Sequence, residues 1–444
     1  MASTYLTRTP SSAGNRTTWT WSAWVKRSTT GSASSLFGVH YSSGAYQDNL
    51  YFQSSGKLDW FIWNNNAYAG RITTDRLFRD VSAWYHVVCV YDNTLATATD
   101  RMKLYVNGVR ETSLSNVTNP VQNSTLSNVN TTNPFILGND GNGNNHFDGS
   151  MSHIHFIDGT AYDASAFGET DATSGIWKPK TSPSVTYGTN GFFLKFGNAG
   201  SLGTDSSGNA NNFTLSGSGT QTLDTPSNVF ATLNPLCKGS NIVLSNGNNS
   251  YSTNDAWEAA PSTLAFSKGK WYAEFKPTSV LGAGNSFIMF GIDSTALTST
   301  WINQYPGFSS EGYGYGWDGE KRNNANNTSY GNSFSQNDII GVAVDMDNNY
   351  IYFSKNGTWQ NSGDPTSGAT GTGGLALTGT EYYFIGSGYN NGVNSTFQTN
   401  FGNGYFGTTA VATPESDSAG IGKFEYSVPS GYYALCTKNI ATYG

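Results

Sequence analysis

Two carboxylates placed two positions apart on a strand share one sheet face, the arrangement by which a pair of acids can flank a glycosidic bond. Such pairs occur at Glu169/Asp171, Asp318/Glu320, Asp345/Asp347 and Glu415/Asp417. None has a third acid two positions further on, and each lies in or beside Gly/Asn/Ser-rich sequence, which predicts solvated turns rather than a hydrolytic centre. Nucleophilic catalysis is no better served. The histidines are His40, His86, His146, His153 and His155, and no Gly-x-Ser-x-Gly elbow accompanies them. His86 falls in a run that reads as a central strand and is expected to be a packed, hydrogen-bonded core residue. His153 and His155 share a strand face, but no Cys or third His stands nearby to complete a zinc site. The sequence therefore assigns no catalytic residue.

Binding chemistry is more visible. Aromatic faces stack on sugar rings while amides and carboxylates hydrogen-bond the hydroxyls. Tyr313, Tyr315, Trp317, Asp318 and Asn323, with Tyr389, Asn390 and Asn391, interleave these types; Trp60 and Trp63 with Asn64, Asn65 and Asn66 do so again. The expected ligand residues are Trp60, Trp63, Tyr315, Trp317, Asp318, Asn323, Tyr389 and Asn390. Sandwich cores also bury aromatics, so alternate members of each run compete for the interior. Calcium needs oxygen ligands, and Asp140, Asn142 and Asn144 supply them within Gly138–Asn145. A Gly/Asn-rich turn accounts for the same residues.

The elements that must position these groups are strands. Helical periodicity is nearly absent, and period-two runs separated by Gly/Asn/Ser clusters predict an all-β sandwich. Trp19–Val25 and Trp84–Tyr91 are apolar on both faces, as expected of strands in the middle of a sandwich. Met102–Val106 leads into Asn107-Gly108 and Tyr350–Phe353 into Asn356-Gly357, both strong hairpin signals. Lys270–Phe275, Phe287–Ile292 and Ile339–Asp345 are further strands, whereas Ser115–Asn133 reads as a loop. Leu236–Ile242 echoes Leu435–Ile440, and if both are strands they lie side by side. Thr225-Pro226-Ser227 and Asn234-Pro235 mark the expected domain boundary.

Composition narrows the class. Of 444 residues 12% are charged and 14% aromatic, with a net charge of −7; soluble chains ordinarily carry roughly 25% charge. Abundant aromatics exclude general disorder. Without a Lys/Arg-rich run there is no footprint for a nucleic-acid partner. No stretch of about 18 apolar residues is present, and Met1–Arg8 lacks the apolar core of a signal peptide. A chain made in the cytoplasm, with no membrane span, is expected. Cys89, Cys237 and Cys436 are too scattered for a disulfide framework and read as small buried hydrophobes.

In the first half, Trp84–Val88 followed by Leu104–Gly108, then Phe135–Gly138 and Phe147–Ile154, resembles a laminin-G-like (concanavalin A-like) domain. Asp205–Asn209 resembles a motif usually met near the beginning of such domains. That resemblance implies a rim calcium, for which Asp140 and Asn142 are the candidates. In the second half, Gly269–Phe275, Gly312–Gly319, Asp338–Gly357 and Asn400-Phe401-Gly402 are similar, in order and spacing, to a SPRY (B30.2-like) domain. The implied architecture is two concanavalin A-like jelly-roll β-sandwich domains in tandem, 1–235 and 236–444. The combined layout, beginning with Tyr5–Ser11 and Trp19–Arg27, resembles lectin-like structural proteins of marine tailed bacteriophages. It implies a non-enzymatic protein of the virion surface, an appendage or a capsid or tail decoration. Its partners would be other virion proteins and cell-surface glycans, and its state a homo-oligomer. A polysaccharide depolymerase and a pure protein-docking scaffold are the alternatives.

Overall fold

Strand Thr18–Arg27 shows why the first half folds as a layered β-structure. Trp19, Trp21, Ala23 and Val25 point into the inter-sheet core, while Thr20, Ser22 and Trp24 on the opposite face are buried as well. A strand covered on both sides has no polar face to alternate with. The computed structural model describes residues 4–40, 45–254, 256–282, 284–294 and 302–444. Two compact units comprise Met1–Gln221 with Thr225–Ser227, and Thr222–Asp224 with Asn228–Gly444.

Among the described residues, an eight-stranded sheet of the first unit runs in the order Leu114–Thr118, Ala67–Leu77, Lys57–Asn64, Tyr46–Phe52, Ser34–His40, Phe135–Leu137, Tyr5–Arg8, Thr214–Ser216. A six-stranded sheet faces it, ordered Phe192–Leu194, Gly149–Asp158, Thr18–Arg27, Tyr85–Asp92, Met102–Val106, Val109–Arg110. Trp19, Trp21, Trp60, Phe37 and Phe135 fill the space between. The outer face of the six-stranded sheet is roofed by the chain's own 160–187 segment. Val88, Val90 and Ile157 pack there against Ala164, Phe167, Trp177 and Tyr187.

The second unit repeats this plan. Its larger sheet runs Val243–Ser245, Ser250–Thr253, Ser395–Asn400, Lys270–Pro277, Ile340–Asp345, Tyr350–Lys355, Thr358–Trp359. The facing sheet runs Glu258–Pro261, Tyr383–Asn390, Ser286–Asp293, Tyr313–Gly316, Glu320–Asn323, Asn326–Ser329. Trp271 and Phe275 point into the core; Tyr272, on the reverse face, is roofed by Phe424, Tyr432 and Ala434 of the C-terminal segment. That roof is pinned by Glu274, which accepts the Glu425 and Tyr426 amides at 2.8 and 2.9 Å. No helix among the described residues is long and apolar enough to cross a membrane.

Four expectations need correction. Of Ser115–Asn133, read as loop, the first four residues belong to an edge strand, Leu114–Thr118, paired with Ala67–Leu77, its register broken by a bulge between Leu114 and Asn116 that masks the alternation. Residues 228–235 belong to the second unit rather than the first, because Ala231 and Leu233 sit in its core and Phe230 bridges to Cys436. Leu236–Ile242 is therefore not the partner of the C-terminal segment, which turns into the helix Thr437–Tyr443. Cys237 is half-buried, unlike Cys89 and Cys436.

The Asn107-Gly108 turn has φ of 48° and 84° at its two residues, and a Cβ on Gly108 would stand 3.0 Å from the Trp177 ring. Gly108→Ala should cost the first unit about 1–2 kcal/mol from left-handed strain, read as a lower denaturation midpoint.

Candidate functional site

The six-stranded sheet of the second unit keeps an aromatic outer face. Ile288, Phe290 and Ile292 of strand Ser286–Asp293 point into the core, so Phe287 and Met289 point out. Tyr389 lies directly across from Phe287 in the register, and the two rings stack at 5.6 Å. Trp317 follows strand Tyr313–Gly316; its amide donates to the Ile288 carbonyl at 3.1 Å, which sets the indole on the other side of Phe287 at 5.2 Å. Trp257 precedes strand Glu258–Pro261 and touches both Tyr389, at 5.7 Å, and Tyr305, at 5.2 Å. The rings thus run without a break from Trp317 through Phe287, Tyr389 and Trp257 to Tyr305.

A shallow pocket of about 290 Å³ opens on this face, lined by Trp257, Phe287, Met289, Tyr305, Trp317, Arg322 and Asn327. Arg322 is held by two carboxylates, Nη2 to Asp318 Oδ2 at 2.6 Å and Nη1 to Glu320 Oε2 at 2.9 Å. Asn327 faces Arg322 across the neighbouring strand. A flat apolar floor with amide, guanidinium and carboxylate at its rim can stack a pyranose ring and bond its hydroxyls.

Of the residues expected from sequence, Trp317, Asp318 and Tyr389 meet at this face. Tyr315 does not: it is wholly buried, packed against Tyr330, Phe334 and Phe353. Asn323 uses its amide to tie down the Ser310 and Gly312 carbonyls, at 3.0 and 2.8 Å. Asn390 donates to the Asn254 carbonyl at 3.0 Å and accepts the Gly392 amide at 2.8 Å. Both amides hold loops. In the first unit Trp60 is wholly buried against Trp19, whereas Trp63 is half-exposed on the sheet's outer face beside Tyr68. Asn65 and Asn66, at φ 50° and 60°, form the hairpin turn. Trp257, Phe287, Met289, Tyr305, Arg322 and Asn327 escaped the sequence reading; only the alternation around Ile288 and Phe290 signalled that Phe287 faces outward.

Asp140 is also committed within its own loop. Its Oδ1 accepts the Asn142 and Asn144 amides at 2.9 and 3.0 Å, and its Oδ2 accepts from Asn145 Nδ2 at 3.0 Å. The carboxylate thereby closes a turn, with the Asn142 backbone, not its side chain, as partner. Among the described residues no cluster of three or more His, Cys, Asp or Glu could hold a metal ion. Asp205 is similarly a turn staple, accepting the Phe193, Ser207 and Asn211 amides.

Two Ser–His contacts stand among the described residues: Ser152 Oγ lies 2.7 Å from Nδ1 of its sequence neighbour His153, and the buried Ser22–His86 contact has the wrong polarity for catalysis. Trp177 Nε1 lies 3.0 Å from His86 Nδ1, and an indole nitrogen can only donate. Nδ1 is therefore the acceptor, Nε2 carries the proton, and the imidazole donates to Ser22 Oγ at 2.9 Å instead of receiving its proton. Burial pushes His86 down to about 3, so it stays neutral. The paired acids are also occupied: Lys178 reaches Glu169 and Asp171 at 3.7 and 2.7 Å, Lys270 reaches Asp345 at 2.8 Å, and buried Asp417 accepts from Asn439 at 2.8 Å.

Comparison with known proteins agrees with the two-unit plan. The family described as the concanavalin A-like lectin/glucanases superfamily matches residues 2–165, and the SPRY domain family matches residues 270–400. The ATP-dependent RNA helicase DDX1 of Xenopus laevis is 33% identical over 101 residues, which is 23% of this chain and only 12% of the helicase. Among solved structures, the SPRY domain of human HERC1 is similar over 38% of this chain and 96% of its own, at 17% identity and a TM-score of 0.30. Domains LG4-5 of the mouse laminin alpha1 chain are similar over 86% of this chain and 79% of theirs, at 11% identity and a TM-score of 0.29. Domains of these two types are typically non-catalytic binding modules. The chain carries a concanavalin A-like domain of the laminin G type followed by a SPRY domain.

Proposed function

We propose that the chain is a non-enzymatic glycan-binding protein displayed on the surface of a tailed-phage virion, with the SPRY-domain pocket as its adhesion site. The observation that carries the binding role is the unbroken aromatic face from Trp317 to Tyr305, bordered by Arg322 and Asn327. Asp318 and Glu320, the pair on which hydrolysis would depend, are both tied to one guanidinium, so neither is free to donate a proton or attack. The virion setting rests on the resemblance of the whole layout to phage lectin-like proteins.

Binding is tested on a glycan array and then by titration calorimetry. Trp257→Ala or Trp317→Ala should each remove about 1–2 kcal/mol of affinity, roughly 5–30-fold, while the thermal midpoint moves by no more than about 2–4 °C. Unchanged affinity in both variants would remove the pocket from consideration. Release of reducing ends from a bound polysaccharide would favour the depolymerase instead. Absence of the chain from purified particles by mass spectrometry would overturn the virion assignment.

A further inference from the structure

The rim of the SPRY-domain pocket carries more negative than positive charge. Glu320 and Arg322 alternate on strand Glu320–Asn323 and so share its outer face, with Ser329 and Asn327 across from them on the neighbouring strand. Asp318 stands in the turn before that strand, oriented by its Oδ1, which accepts the Glu320 amide at 3.1 Å. Both carboxylates therefore meet the same guanidinium, that of a residue only 5% exposed. Among the described residues no second Lys or Arg comes within ion-pair distance of either acid, so one negative charge is left over at the pocket's edge.

The two acids are not held alike. Arg322 Nη2 gives Asp318 a hydrogen bond at 2.6 Å, whereas Nη1, though 2.9 Å from Glu320 Oε2, is buried and makes no aligned hydrogen bond. Glu320 is also the more open, its side chain 40% exposed against 27% for Asp318. Its carboxylate thus keeps acceptor capacity for a donor arriving from the pocket. The aromatic side is open as well: Trp257 lies at 44° to Tyr389 and 58° to Tyr305, so it is stacked on neither.

These features sort ligands by charge. A carboxylated or sulfated sugar would bring an anion against two carboxylates that already share one guanidinium. A neutral sugar would use the rings and leave the excess charge unanswered. A sugar that carries an ammonium answers both, because aromatic faces attract a cation and Glu320 accepts its N–H groups. The chain's net charge of −7 favours the approach of such a ligand. We propose that the pocket selects amino sugars in their protonated form, the glucosamine units of a de-N-acetylated polysaccharide, with Glu320 receiving the ammonium and Arg322 holding the two acids at the rim. That selectivity rests on the glycan reading of this pocket and adds the charge the sugar must carry.

Titration calorimetry of the full chain with a chitosan tetrasaccharide and with its fully N-acetylated counterpart tests this, at about pH 6, where the amines are protonated. The chitosan oligomer should bind about tenfold tighter, and raising NaCl from about 0.05 to about 0.5 M should remove most of that preference. Glu320→Gln, close in shape, should shrink the ratio of the two affinities to less than about twofold with little change in thermal midpoint. Trp257→Ala should weaken binding of the chitosan oligomer. Equal affinities in the parent chain overturn the amine selectivity and keep the glycan pocket. So does binding of a neutral glycan on the array with no binding of chitosan. A preference that survives Glu320→Gln overturns the proposal. Tetralysine bound as tightly as the chitosan oligomer, or chitosan binding untouched by Trp257→Ala, means attraction between opposite net charges alone and overturns it too. A chain that binds no saccharide overturns both the amine selectivity and the glycan pocket.

Discussion

Trp60→Ala should destabilise the first unit by about 3–5 kcal/mol, whereas Trp63→Ala, three residues away, should cost less than about 1 kcal/mol. Trp60 is wholly enclosed between the sheets, with its ring 5.5 Å from Trp19. Removing it leaves a void that Leu50, Leu58 and Ile72, themselves fixed in strands, cannot collapse to fill. Trp63 stands on the outer face, where water replaces the indole. Urea denaturation of the two variants side by side measures the contrast. Comparable losses at the two positions would mean that Trp63 is part of the structural core.

Acidification from pH 7.5 to 5 should move the two units in opposite directions. In the first, burial holds His86 at about 3 and His155 well below the ordinary 6.5. Below pH 6.5 the unfolded chain takes up protons that these native imidazoles refuse, so native stability falls by about 1.4 kcal/mol per pH unit for each. Asp48, raised to about 6 by burial, works the other way, because the native state is the better proton binder between pH 6 and 3.8. With two imidazoles set against one carboxyl, the net change by pH 5 is a loss. In the second unit, burial lifts Glu274 to about 7 against the donors that hold it down, the Glu425 and Tyr426 amides foremost. Its ionised form is penalised above pH 7 and the penalty is relieved on protonation, a gain of roughly 2–3 kcal/mol by pH 5. Calorimetry should show one transition falling and the other rising. Glu274→Gln should flatten the rising one; two parallel downward shifts would contradict the assignment of Glu274.

The strands and hairpins were legible because they depend on local pattern. Asn107-Gly108 and Asn356-Gly357 take the left-handed conformations that two-residue turns require, and the turns fall where those dipeptides stand. The site was legible only where neighbours in sequence remained neighbours in space. Trp60 and Trp63 differ by an odd number of positions, so a strand must send them to opposite faces, and only one can reach a ligand. Tyr315 and Trp317 have the same parity, yet the strand ends at Gly316 and the chain turns, which frees Trp317 from the core position that Tyr315 keeps. Trp257 and Tyr305 reach the pocket from separate loops, and no period in the sequence encodes their meeting. Asp59 and Glu274 were invisible for another reason. Each lies within an apolar run, and its donors come from Arg71 and Tyr51 in one case and from the Glu425 and Tyr426 backbone in the other.

The pairing of the first unit's first and last strands in chain order, Tyr5–Arg8 and Thr214–Ser216, sets how that unit meets a pulling force. Tyr5 lies opposite Ser216, Leu6 opposite Leu215 and Thr7 opposite Thr214, so the chain enters and leaves at the same end of one antiparallel ladder. Tension between those two ends acts along the hydrogen bonds rather than across them, and loads them one at a time. The ladder opens as a zipper, at a lower force than the same bonds would bear if sheared together. Under such tension this edge is the joint that gives first.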